Sequence, residues 1–215
     1  MSKLFLEVLD NKRKEVYQKL DSFSEIGILG GGTALALQIG HRVSFDFDIF
    51  THNNLDKDLW AKSKKVFGTE SVKLLDDKDQ LDIATQRGVN ITFFYDDYKQ
   101  VFRPLSNSPI DLMNIKDIAI NKTITLGRRP KWRDYVDLYF LLKEKYIDLN
   151  ELVEISTKKL KNDFSEKLFL EQLVYYNDVQ NYDIEFVKKE IDSVEIKNFL
   201  ENEVKEFKRK SLGFF

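Results

Sequence analysis

Two regimes of apolar spacing divide the chain. Up to about Val101, short alternating or continuous apolar runs are interspersed with helical patterns; beyond Pro104 and Pro109 the strand signals fade and helical spacing takes over. In the first regime, Leu4, Phe5, Val8, Leu9, Val16 and Leu20 recur at roughly helical spacing and predict an opening helix. IGILG at 26–30 reads as a short buried strand, followed by a helix over 33–39 that Gly30, Gly31 and Gly32 open and Gly40 closes. VSFDFDIF at 43–50 alternates with period two and predicts a half-buried strand, with Phe45, Phe47 and Ile49 on the inner face. A helix is expected over 55–67. Strands are expected at SVKLL, LDIATQ and VNITFFY, the last two joined by an Arg87-Gly88 hairpin turn. The second regime predicts helices over 111–126, 131–145, 149–161, 164–176 and 184–210.

The expectation is therefore an α+β chain: a mixed β-sheet flanked by helices over 1–105, then an α-helical bundle over 106–215. A length of 215 residues and 42% hydrophobic content are enough for one large domain or two modest ones. The chain has no cysteine, which excludes disulfides and thiolate metal sites and fits a cytoplasmic setting. No segment is long and apolar enough to span a bilayer, so no membrane partner is expected. A net charge of -2 argues against a globally basic nucleic-acid clamp and confines any RNA contact to a local patch. His41 and His52 have no partner at metal-ligand spacing.

Candidate chemistry gathers in GGGTALALQIGHRVSFDFDIF, residues 30–50. Asp46 and Asp48 stand two apart on a predicted strand, so their carboxylates share one face. Like charges at that spacing call for a compensating cation, and a hard divalent ion such as Mg2+, or Mn2+ in its place, supplies it through oxygen ligands. Upstream, the glycine turn lets the backbone approach a ligand while the following helix offers free N–H groups and its positive dipole end. That corner suits a nucleoside triphosphate, and the reaction implied is nucleotidyl transfer with loss of pyrophosphate. A glycine-rich turn alone or an alternating acid pair alone is usually ordinary; their combination within one short segment is not.

Gly31-Gly32-Thr33, Ala34, Leu35, Arg42, Ser44 and the Asp46-Phe47-Asp48 triplet together resemble the signature of the AbiEii/AbiGii-type nucleotidyltransferases, a toxin-bearing branch of the polymerase-beta-like superfamily. GVNITFFYDDY and NIKDIAINKTITLGRRPKWRDYVDLYFLL extend the resemblance over about residues 26–145. It implies that Gly31, Gly32 and Thr33 cradle phosphates and that Arg42 and Ser44 brace the turn or touch phosphate. Lys122 would contact the triphosphate, with Asp134 and Asp137 in the active-site wall. It also implies an acceptor hydroxyl on RNA, tRNA among the candidates, or on protein, and an antitoxin as regulatory partner. From the residues alone, Lys122, Asp134 and Asp137 also suit an interhelical ion-pair cluster, with Arg128, Arg129 and Arg133 nearby in sequence. Many enzymes of the superfamily carry a third carboxylate on a neighbouring strand. In this chain Val89, Ile91 and Phe93 are expected to face inward, leaving the neutral Asn90 and Thr92 at those positions, with Asp82 and Asp96 as substitutes. A second reading follows: a binding module of the same fold that has lost its chemistry.

Overall fold

A computed structural model describes residues 4–128 and 130–211. Arg129 and the closing Phe214 and Phe215 lie outside the described residues. The chain divides into two compact units between Asn114 and Ile115.

In the first unit the opening helix is split. A 3-10 turn, Leu6–Val8, is followed by α1 (Asn11–Lys19), because Asp10 caps the new helix by accepting from the Arg13 N–H at 2.9 Å. Strand β1 (Gly27–Gly30) runs straight into α2 (Gly31–Ile39), whose Ala-Leu-Ala-Leu run favours helix and is buried throughout. Gly40 ends α2 in the left-handed region at φ 65°. Strand β2 (Phe47–Thr51) follows, then α3 (Leu59–Phe67), and β3 (Val72–Asp76), β4 (Gln80–Ala84) and β5 (Asn90–Tyr95) complete the unit. α3 starts four residues later than expected, since the preceding stretch is taken up by a turn around Asp56, which accepts from the Asp58 N–H.

The five strands lie in the order β1-β2-β5-β4-β3; β2 and β5 are parallel and every other neighbouring pair antiparallel. Gly88, at φ 69°, turns the β4–β5 hairpin as expected. Phe47, Ile49, Ile83, Ile91 and Phe93 are fully buried, each worth about 1.5–3 kcal/mol of burial. Phe23 stacks on Phe67 at 5.2 Å and meets Phe93 at a tilt, with centroids 5.0 Å apart, tying helix to sheet. β3 is an edge strand, exposed along its length and bulged between Lys73 and Leu75.

Residues 111–113 are extended where a helix was expected. The Leu29 N–H donates to Asp111 O at 2.9 Å and the Met113 N–H to Leu29 O at 2.8 Å, which closes the outer edge of β1. These bonds carry the first unit to Asn114, beyond residue 105.

The second unit is helical: α4 (Ile115–Arg128), α5 (Trp132–Lys143), α6 (Leu149–Leu160), the short α7 (Glu166–Gln172) and α8 (Ser193–Ser211). α4 packs on α5, α6 and α7, and α8 packs on α5 and α6. α5 is buried everywhere except at Arg133, Phe140 and Lys143, in line with its all-round apolar pattern. Residues 173–192 form an irregular connection, which takes in 173–176 and 184–192, both expected to be helical. It is held by side chains: Tyr135 Oη donates to Tyr175 O at 2.6 Å, and Lys197 Nζ sits over the rings of Tyr182, Tyr176 and Trp132 at 4.3, 5.2 and 5.8 Å. Among the described residues no helix is long and apolar enough to cross a membrane.

Candidate functional site

Strand pairing sets the site in the first unit. Asp48 lies opposite Gly30 on β1 and opposite Thr92 on β5, and Thr92 in turn lies opposite Asp82 on β4. Phe47 and Ile49 on either side of Asp48 are fully buried, so the Asp48 rung occupies the other face of the sheet. Asp46 stands just before β2. Its carboxylate Oδ1 accepts from Asn90 Nδ2 at 3.4 Å, and Asn90 is two residues from Thr92 on the same face, so Asp46 and Asp48 point the same way.

Chain direction then brings the glycine turn onto this pair. Gly31 has φ 63°, and a Cβ there would collide with the Asp48 carboxylate. Only glycine meets both conditions. Gly31, Gly32 and Thr33 are the first residues of α2, whose N–H groups lack intrahelical partners, and Gly30 as N-cap supplies no side chain to them.

Thr33, Ser44 and Arg42 are in place but turned inward. Thr33 Oγ1 and Ser44 Oγ are 2.7 Å apart, both buried, and Thr33 also donates to Asp46 O. Buried Arg42 donates from Nη1 to Val43 O at 3.0 Å. These three side chains brace the segment that carries Asp46, while Gly31 and Gly32 contribute only backbone at the start of α2. Phe45 corrects the expected inner face: it is 44% exposed, because β2 begins only at Phe47 and the preceding chain does not follow the pleat.

Asp82 and Asp96 are separated from the pair. Asp82 is two strands from Asp48, about 10 Å at ordinary strand spacing, and accepts from Gln80 Nε2 at 2.9 Å. Asp96 follows β5 at its far end, beyond the Thr51–Tyr95 pairing, and accepts from the Tyr98 N–H. Among the described residues no cluster of three or more His, Asp or Glu forms a metal cage.

In the second unit Lys122 on α4 lies between two carboxylates of α5, 2.7 Å from Asp134 Oδ1 and 2.6 Å from Asp137 Oδ2. All three side chains are buried. Asp134 also accepts from the Lys131 N–H at 3.1 Å, so one carboxylate caps α5 and neutralises the lysine. A second buried pair, Lys159 with Asp117 at 3.0 Å, joins α6 to α4 and was not anticipated; a lysine in a charged helical repeat carries no sequence mark of burial. Burial pushes the phenols of Tyr17 and Tyr135 up to about 12, so both stay protonated at neutral pH and neither serves as a base.

Comparison with known proteins gives the family and the fold. Residues 18–215 match the family model described as nucleotidyl transferase AbiEii toxin, type IV TA system. An uncharacterised protein of Aquifex aeolicus (strain VF5) is 32% identical over 204 residues, covering 91% of this chain and 97% of the relative. Similar solved structures include JHP933 from Helicobacter pylori, with 21% identity, TM-score 0.59 and coverage of 98% of this chain and 97% of the other. The MenT4 nucleotidyltransferase toxin of Mycobacterium tuberculosis H37Rv has 14% identity, TM-score 0.60 and coverage of 89% and 80%. At these identities the structural likeness establishes the nucleotidyltransferase fold, and the family match extends through both units. The chain belongs to the AbiEii nucleotidyl transferase toxin family of type IV toxin–antitoxin systems.

Proposed function

We propose that the protein transfers a nucleoside monophosphate from a nucleoside triphosphate to an acceptor hydroxyl on RNA, tRNA included, or on protein, and that it does so in the cytoplasm under the control of an antitoxin. The observation that carries this reading is the closure of the Gly31 turn directly onto the Asp48 carboxylate, with Asp46 on the same sheet face. A phosphate-binding backbone and a pair of acids are thereby joined in one unit.

The donor set fits a divalent ion. Mg2+ takes one or two protein carboxylates and completes its shell with substrate phosphates and water, so a pair of acids suffices. Asp46 and Asp48 would hold Mg2+ or Mn2+, which when bound neutralises the phosphates and increases the acidity of the attacking hydroxyl. The N–H groups of Gly31, Gly32 and Thr33 orient the phosphate tail, helped by the dipole of α2. Thr33 and Ser44 keep Asp46 in place through its carbonyl. Lys122 is assigned to the triphosphate on the resemblance of its segment, and Asp134 and Asp137 hold its ammonium in place. In the label-transfer assay with each triphosphate and total RNA, Asp46→Ala removes Mg2+-dependent incorporation while the circular dichroism spectrum stays native. Full incorporation by that variant would refute the metal assignment.

One observation favours the second reading, a non-catalytic binding module: the residues flanking the pair on β5 are the neutral Asn90 and Thr92. Saturable triphosphate binding with no transfer to any RNA or protein acceptor would select it.

A further inference from the structure

Arg13 lies upstream of the family-matched span, which begins at residue 18, yet its side chain reaches the segment that delivers Asp46. We propose that Arg13 is a positioning residue for the metal-binding carboxylates, a role that rests on the assignment of Asp46 and Asp48 above.

Residues 43–46 enter β2 outside the strand ladder; the Ser44 N–H donates to Val8 O at 3.2 Å, and the carbonyls that follow, at Phe45 and Asp46, are held by side chains. Arg13 Nε donates to Phe45 O at 2.8 Å, and Thr33 Oγ1 donates to Asp46 O. The Arg13 guanidinium also lies 4.7 Å from the centroid of the Phe45 ring. Hydrophobic burial does not anchor Phe45, which is 44% exposed while Phe47 is fully buried; the arginine does. Arg13 is itself held by Asp10, which pairs with Nη1 and accepts the Arg13 N–H at 2.9 Å. The cap of α1 is thus also the anchor of the arginine.

The consequence for Asp46 is direct. A rigid peptide plane links Phe45 to Asp46, so rotation of the Phe45 carbonyl turns the next residue. Metal sites require ligand placement to within about 0.5 Å. The planar guanidinium can hold a carbonyl and stack on a ring at once, which an ammonium cannot.

Mn2+ titration followed by electron paramagnetic resonance, on the full chain with a non-hydrolysable triphosphate, tests this without relying on turnover. Asp46→Ala serves as the reference and eliminates the bound signal. Arg13→Gln weakens Mn2+ affinity about tenfold, the lower end of the range for groups that orient a ligand, with the melting temperature kept near wild type. Arg13→Lys restores only part of the loss. If Arg13→Gln proves unfolded, Asp10→Asn decides: it leaves the arginine present but unanchored and should weaken Mn2+ affinity in the same direction. Wild-type affinity in the folded Arg13 or Asp10 variants, with binding lost in Asp46→Ala, overturns the role of Arg13. Wild-type affinity in Asp46→Ala overturns the metal assignment itself.

Discussion

Gly31 bears two constraints at once, a left-handed backbone and contact with the Asp48 carboxylate. Gly31→Ala must leave that conformation or push Asp48 aside, and backbone strain alone costs about 1–2 kcal/mol. The expected outcome is a lower melting temperature together with loss of triphosphate binding; Gly88→Ala, with open space around its Cβ position, lowers the melting temperature and spares binding. Asn90 offers the complementary test. Its amide already donates to Asp46, so Asn90→Asp puts a third carboxylate beside the pair. Tighter Mn2+ binding than wild type is expected at neutral pH, and weaker binding would show that the added charge repels more than it coordinates.

Helices α4 and α5 are joined by a buried charge cluster, so its loss is costly in a way surface pairs are not. Lys122→Met leaves Asp134 and Asp137 buried without that cation. Urea denaturation should report a loss of about 3–5 kcal/mol, against a change below about 1 kcal/mol for the exposed Lys158–Glu154 pair on α6. Alkaline pH acts through the phenols. Tyr17 and Tyr135 titrate at about 12 when folded and near 10 when unfolded, so their contribution to stability is complete below pH 10 and is lost as pH rises from 10 to 12. Melting curves across that interval should shift downward, and less steeply in Tyr17→Phe.

The elements were legible wherever period and punctuation agreed: the β4–β5 hairpin at Arg87-Gly88, α2 between its glycines, and the strand bearing Asp48. Legibility failed where tertiary bonds decided the outcome. Residues 111–113 carry helical spacing but pair with β1, and residues 184–192 do the same but are held in an irregular connection. Within the site, the carboxylate pair and the glycine turn could be read from the sequence. The inward turn of Thr33 and the reach of Arg13 to Phe45 could not, since each depends on contacts across long sequence separations.

Across the whole molecule, the family match runs from residue 18 to the last residue, so membership is carried by the sheet unit and the helical unit together. The resemblance read from residues 26–145 covered less than that match, because the later helices have pattern but no chemical motif. The proposed function requires Asp46, Asp48 and the Gly31 turn to hold a metal-bound triphosphate jointly. Calorimetric titration of a non-hydrolysable triphosphate into wild-type protein and Asp48→Asn, with and without Mg2+, addresses this most directly, because asparagine keeps the shape beside Gly31 and removes the charge. Saturable binding by wild type only with Mg2+, and none by the variant, is the result predicted. Equal binding by both proteins, or binding indifferent to Mg2+, would rule out that joint site.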